Sequence, residues 1–357
     1  FIAVQATAIK NSLVPIIKLV AVGTWLMSYR VRSVFKQTVD YPHQGAAVFM
    51  VFPAITLMII ILLIPVLVAL VFSFSSYSLG SNHFEWVGLD NYQRLFSRSN
   101  YQKMFSATFT YVAVVVPFSV VLGLGAALLI HSLRFAQDLY KTIYFLPVMA
   151  SLLAMAIVWE FTLHPTIGLI NDTLASGCDI SWLYHLLTGS WYGVDSTNSW
   201  YGNGCMRGFP LWLGNKNYAL WTVAFISIWQ AFGFNMVLYL AGLSSISRDL
   251  YNAADMDGAP SSWSSFWLVT WPMLGPTTVF VVTITMIRSF QVFDTIEVLT
   301  KGGPVKSTYV MMYAIYEKAI QQNLVGMGSA ITILFLAFVM VLTIVQRWLV
   351  ERKVHYS

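Results

Sequence analysis

Charge is what this chain has least of. Its 357 residues include 20 Lys and Arg and 15 Asp and Glu, so charged residues make up 10% of it, against roughly 25% in soluble domains. That scarcity excludes an ordinary soluble enzyme. The net charge of +5 is spread along the sequence, with no basic block to follow a phosphate backbone, which removes nucleic acid as a partner. Cysteine is nearly absent too. Cys178 and Cys205 form no C-x-x-C pair and have no histidine at zinc spacing, so a zinc site has no support. In an oxidising compartment the two thiols can join; otherwise both stay free. His43, His83, His131, His164, His185 and His355 are scattered, and neither H-E-x-x-H nor a nucleophile elbow occurs. An intramembrane enzyme therefore lacks its converging cluster. The Gly-x4-Gly-Lys-Ser/Thr spacing is missing, although Lys306 and Ser307 follow Gly302, Gly303 and Pro304, so the chain does not read as a nucleotide hydrolase. Phe1 in place of Met implies a trimmed N-terminus, and no charged, apolar and small-residue succession marks a cleavable signal peptide.

What is present is hydrocarbon. Hydrophobic residues reach 57%, mean hydropathy is +0.68, and the apolar blocks exceed the ~20 residues needed for a helix to cross about 30 Å of bilayer. Six blocks qualify as spans, at 46–73, 105–133, 143–163, 219–243, 274–298 and 325–350. The segment 12–29 is apolar but holds Pro15 and Lys18. It reads as an interfacial helix, with a seventh span as the alternative. The expectation is an all-α polytopic membrane protein of about six transmembrane helices plus an N-terminal interfacial helix. Orientation is not decided by Lys and Arg: nine fall on the side of the N-terminus and eight on the other, although the Arg347 to Lys353 tail favours an inside C-terminus. The interval 164–218 is too long for a plain connection. Its aromatics, among them Trp182, Trp191, Trp200 and Trp212, argue for interfacial anchoring or for docking of a partner.

Polar groups inside apolar spans are costly and tend to face a cavity or one another. The fourth span offers Trp229, Gln230, Asn235 and Tyr239, the last two four apart on one helix face. In the fifth, Arg288, Gln291 and Asp294 recur every three residues and can share a stripe. Aromatic faces with amides suit sugar rings, whose C–H faces stack while their hydroxyls need partners. An internal Arg288 to Asp294 pair is the alternative use of the same residues. A cargo carboxylate or phosphate would match the fork of Arg288.

Between the fourth and fifth spans the chain reads Tyr251, Asn252, Ala253, Ala254, Asp255, Met256, Asp257, Gly258, Ala259, Pro260, then serine-rich sequence to Val269, Thr270, Trp271, Pro272. Gly258 and Pro260 should stop a helix, and Ser261 or Ser262 can cap the next. The segment resembles the EAA loop by which the permease of a binding-protein-dependent ABC importer docks on its ATPase. Ala253, Ala254, Asp257, Gly258, Ala259 and Pro272 match that pattern. Asn252 stands for the usual Glu, ten residues rather than nine separate Gly258 from Val269, and Trp271 replaces Leu. Further matches resemble the MalF/UgpA-like branch. They are Gly88 to Tyr92; Leu146, Pro147 and Trp159; Gly168 to Asn171; and Phe290 to Asp294 with Leu299, Thr300, Gly302, Gly303, Pro304 and Thr308.

The resemblance covers roughly residues 46–357, with much of 172–216 unmatched, and implies a type I ABC importer (MetI-like) permease fold in a bacterial inner membrane, with 1–45 as a cytoplasmic or interfacial segment. It makes 164–218 a periplasmic loop and 249–272 a cytoplasmic coupling loop. It implies half of a pathway for an oligosaccharide, with an acidic uronate or alginate-type oligomer or glycerophosphate as versions of the cargo. The implied partners are a second permease subunit, two cytoplasmic ATPase subunits and a periplasmic binding protein. ATP and Mg would sit on the ATPase and no cofactor on this chain. A passive channel is the remaining rival, and an EAA-like loop has no purpose there.

Overall fold

The computed structural model describes residues 44–80, 84–133, 135–176, 211–258 and 261–351. The stretch 12–29, both cysteines, Ala259 and most of the 164–218 interval lie outside these residues. The chain divides into a unit ending at Pro65 and a second beginning at Val66. In the first, α1 (Gln44–Met58) passes into a wide π turn, Ile59–Leu63. Its side chains are apolar on every side and stand largely exposed from Met50 to Ile64. A helix that is hydrophobic all round belongs in lipid.

The second unit holds α2 (Ile64–Ser73) from Val66 onward, α3 (Asp90–Ser97), α4 (Ser99–Ser132), α5 (Gln137–Met149), α6 (Leu152–Thr162) and α7 (Leu169–Ser176). It continues with α8 (Ala219–Ser244), α9 (Arg248–Met256), α10 (Ser262–Ser265), α11 (Trp271–Met273), α12 (Gly275–Phe290), α13 (Asp294–Leu299), α14 (Met311–Tyr316) and α15 (Val325–Glu351). Among the described residues the only β pairing is an isolated bridge between Ser75 and Trp86. The fold is all-α. Among the described residues five helical stretches are long and apolar enough to cross a bilayer: Met50–Ser73, Ser99–Ser132, Ala219–Ser244, Gly275–Leu299 and Val325–Gln346. The pair α5 and α6 makes a sixth if counted as one span.

The third span, expected at 143–163, is bent: α5 and α6 meet at 97°. Pro147 lacks the N–H that would bond one turn back, and Ala150 and Ser151 are extended. The fifth span is also interrupted. Gln291 and Phe293 leave helical geometry between α12 and α13.

Helix α4 is the spine of the unit, packing on α8, α12 and α14. Its Thr108 hydroxyl, fully buried, accepts the Met311 N–H at 3.0 Å and so fixes the start of α14. Two motifs noted in the sequence turn out to be braces. Asn91 donates from Nδ2 to the carbonyls of Ser73 at 2.9 Å and Ser75 at 2.8 Å, and the Tyr92 hydroxyl donates to Ser73 Oγ. The last carbonyl of α2, at Ser73, which no helical N–H reaches, and that of Ser75 just beyond the helix are satisfied in this way. In the Gly302 to Thr308 loop, Thr308 donates to the Gly303 carbonyl at 2.7 Å. Beneath that loop Tyr309 donates to Glu317, and burial, followed by Glu297, pushes the Tyr313 phenol up to about 12.

Candidate functional site

A cavity of about 460 Å³ opens where both broken helices meet the spine. Tyr111 and Val115 come from α4, Val148 from α5 and Ala150 from the bend after it. Gln230, Phe234 and Asn235 come from α8, Thr285, Arg288 and Ser289 from α12, and residues 291–295 from the second break. The coincidence has a physical cause. Backbone outside a helix leaves N–H and C=O groups unbonded, which the hydrocarbon region tolerates only where they line a hydrated cavity or are buried in protein.

Five of the seven pathway residues expected from the sequence line this cavity: Gln230, Asn235, Arg288, Gln291 and Asp294. Trp229 does not. It stands edge-on to Trp159 at 5.5 Å between centroids, joining α8 to α6. Tyr239 does not either: it is fully buried in a second apolar cluster with Met236, Leu243, Ala254 and Leu274. The expected stripe of Arg288, Gln291 and Asp294 is also corrected, because the helix breaks at Gln291. The three converge through the break rather than along a helix face.

Arg288 carries the electrostatics. Its guanidinium lies 4.1 Å from the centroid of the Phe234 ring, a cation–π contact. Among the described residues no carboxylate comes within ion-pairing distance of it; the three ion pairs are Asp90 with Arg94, Asp138 with Lys141 and Glu317 with Lys318. The alternative of an internal Arg288 to Asp294 pair is thereby not realised. Nearby, Asn235 is 1% exposed and its Oδ1 accepts from the Thr285 hydroxyl at 2.9 Å, which fixes the amide. The Asn235 Nδ2 finds no acceptor among the described residues. A buried donor left without a partner costs about 1–3 kcal/mol. The site thus offers a cation held in no ion pair among the described residues and an unused amide donor, beside the Gln291 amide and the Asp294 carboxylate.

Sequence reasoning missed Phe234, Tyr111, Thr285 and Ser289. The first two read as span filler, and the two hydroxyls are common on spanning helices, where they bond back to their own backbone. The tight seat of α5 on α8 was missed as well. A methyl group on Gly233 would sit 2.1 Å from the Tyr144 carbonyl oxygen, so only glycine admits the contact.

The expected elbow is present as a helix, a turn and a restarted helix. Ser247 caps α9 by accepting the Asp249 N–H, and Ser261 caps α10 by accepting the Ser264 N–H at 3.1 Å. Gly258 ends the first arm at φ +87°, a backbone state that disfavours any side chain. Asn252, Ala253 and Ala254 lie on α9, Asp257 caps its C-terminus and Pro272 sits in α11. Only Ala254 among the first three is buried. The two arms are joined where the Tyr251 and Thr270 hydroxyls meet at 3.0 Å.

Comparison with known proteins follows this geometry. Residues 119–355 match the family described as "Binding-protein-dependent transport system inner membrane component". A "Probable starch degradation products transport system permease protein AmyD" of Thermoanaerobacterium thermosulfurigenes is 27% identical over 303 residues, covering 84% of this chain and 92% of its own. The "sn-glycerol-3-phosphate transport system permease protein UgpA" of Pectobacterium atrosepticum is 28% identical over 274 residues, with 76% and 83% covered. Among solved structures, a bacterial alginate ABC transporter in complex with an alginate pentasaccharide-bound periplasmic protein matches with a TM-score of 0.69 at 21% identity, over 88% of this chain and 97% of that one.

Proposed function

Since the chain belongs to the family of inner membrane components of binding-protein-dependent transport systems, we propose that it forms half of the pathway through which an acidic oligosaccharide enters the cell. The observation that carries this reading is Arg288, a cavity-wall arginine with no carboxylate within ion-pairing distance among the described residues. A cation in the middle of the apolar stretch Gly275–Leu299 is expensive unless an anion meets it in use. A carboxylate on a sugar ring supplies that anion. The neighbouring amides of Asn235 and Gln291 suit its hydroxyls, and the Phe234 and Tyr111 rings give C–H faces a surface.

The cargo would arrive on a periplasmic binding protein and cross between this chain and a second permease subunit. Two cytoplasmic ATPase subunits would hold ATP and Mg and grip the elbow at Asn252, Ala253, Ala254, Asp257, Gly258 and Ala259, while Pro272 would serve the coupling loop by shaping the end of its second arm. Rigid packing links that elbow to the cavity. Ala254 and Val269 share an apolar cluster with Met236 and Tyr239 on α8, which follow Asn235 by one and four residues. A displacement of the elbow therefore pushes the helix that carries the cavity wall. Alternating access is then an equilibrium between two packings, biased by nucleotide and by the loaded binding protein.

A second reading has its own support, because phosphate fits Arg288 as well as carboxylate does and the relative named for sn-glycerol-3-phosphate transport aligns over 76% of this chain. The deciding experiment measures cargo-stimulated ATP hydrolysis by the purified complex with its binding protein. An oligouronate, its neutral methyl ester and glycerol 3-phosphate are offered separately. The oligouronate is expected to stimulate well above its neutral ester and glycerol 3-phosphate; stimulation by the neutral ester to the same extent would overturn the acidic reading.

A further inference from the structure

We infer that the second arm of the elbow, residues 261–273, rests in the headgroup layer of the bilayer, and that only the first arm is presented to the aqueous partner. The two arms differ in kind. Helix α9 and its turn carry Arg248, Asp249, Asp255 and Asp257, whereas no charged residue occurs from Ser261 to Gly275. In place of charge the second arm bears a ladder of rings. Trp263, Trp267 and Trp271 are 70%, 52% and 40% exposed. Their centroids are spaced at 5.7 and 6.0 Å, with Phe266 against both ends.

The ladder is straight because the backbone widens. In the π turn Phe266–Thr270 the Trp271 N–H bonds the Phe266 carbonyl five residues back, which offsets the drift of a four-residue spacing around an ordinary helix. The reverse face is already occupied: Val269 and Thr270 are buried, and Thr270 meets Tyr251.

Three exposed tryptophans with no charge among them suit neither water nor a cleft recognised through ion pairs. They suit the boundary between headgroups and acyl chains, where an indole buries its ring and keeps its N–H hydrated. Position agrees. The arm runs directly into the span that begins at Gly275, so its far end lies within about 20 Å of the hydrocarbon at 1.5 Å per helical residue. Anchored there, the second arm acts as the fulcrum on which force applied to α9 tilts α12. The inference rests on the membrane assignment and not on the choice of cargo.

The test uses the complete transporter in lipid nanodiscs, with Cys178 and Cys205 replaced by serine. An environment-sensitive fluorophore is attached at Trp267→Cys in one preparation and at Met256→Cys in another; Met256 is 88% exposed on the first arm. The expected result is that lipid carrying a headgroup nitroxide removes most of the emission at position 267 and little at 256, while aqueous iodide leaves 267 nearly unchanged. A label at 267 shielded from both quenchers would assign the ladder to a protein cleft. One quenched by iodide alone would assign it to water, and equal nitroxide quenching at 267 and 256 would erase the division between arms; each result overturns the inference. If Trp267→Cys prevents assembly, Trp263→Cys reports from the same stripe. Co-purification of an ATPase with the Met256→Cys preparation tests the transport reading separately.

Discussion

Replacing Arg288 by Gln removes the positive charge from the cavity while keeping a polar side chain that still donates hydrogen bonds. Among the described residues the guanidinium has no carboxylate partner to strand, so the fold should tolerate the change. Its contact with the Phe234 ring at 4.1 Å is lost with or without cargo and cancels in the comparison. What does not cancel is the bond to an anionic cargo. A hydrogen bond to a charged group contributes about 1.5–3 kcal/mol, which corresponds to about tenfold to 150-fold in an equilibrium. The cavity is open and Arg288 is exposed, so the lower end applies, and uptake of an oligouronate should fall about tenfold. Uptake of its neutral methyl ester should hold. The assay is flux into proteoliposomes holding the complete transporter, with each cargo delivered by the same binding protein. Comparing variant with parent for each cargo removes delivery from the result. An acidic-to-neutral ratio that is unchanged by Arg288→Gln would refute the reasoning, because the charge would then have no part in the passage of the anion.

Gly258→Trp should leave the protein inserted, because a Cβ there meets nothing within 4 Å, at a local cost of about 1–2 kcal/mol for a left-handed backbone with a side chain. Cargo-stimulated ATP hydrolysis should disappear, and its persistence would contradict the coupling role of the elbow. Asn91→Ala removes both donors from the carbonyls of Ser73 and Ser75, leaving buried acceptors at about 1–3 kcal/mol each; a clear fall in the melting temperature of the complex is expected, and an unchanged value would mean that water replaces the amide. Burial depresses the Lys318 pKa below 10.5, with Lys306 and Arg98 adding to the shift and Glu317 opposing it. Between the depressed value and 10.5 the unfolded chain binds more protons than the folded one, so the contribution of this group rises with pH through that window. Thermal unfolding of a Lys318→Met variant should lose this part of the pH slope; an identical slope in parent and variant would sink the assignment.

Much of the architecture was legible in the linear order of residues because its causes are local. A stretch such as Met50–Ser73 spans a membrane through length and composition alone, and Gly258 and Ser261 bend the elbow through their own backbone and hydroxyl chemistry. The resemblance to importer permeases rested on such local features and led to the family. The cavity was only half legible. Gln230 and Trp229 are neighbours and equally plausible in sequence, yet about 100° of helical rotation sends one into the cavity and the other against Trp159. Asn235 and Tyr239 share a face, but packing puts Ala254 and Leu274 against the tyrosine and leaves the amide at the cavity. The breaks at Ala150 and Gln291 depended on neighbours as well, since non-helical backbone survives there only because α4 and α8 close around a common space. The residue types and their spans therefore followed from composition, periodicity and caps. Which polar groups meet, and that Arg288 has no partner among the described residues, was decided by the contacts between helices distant in sequence, which no local rule contains.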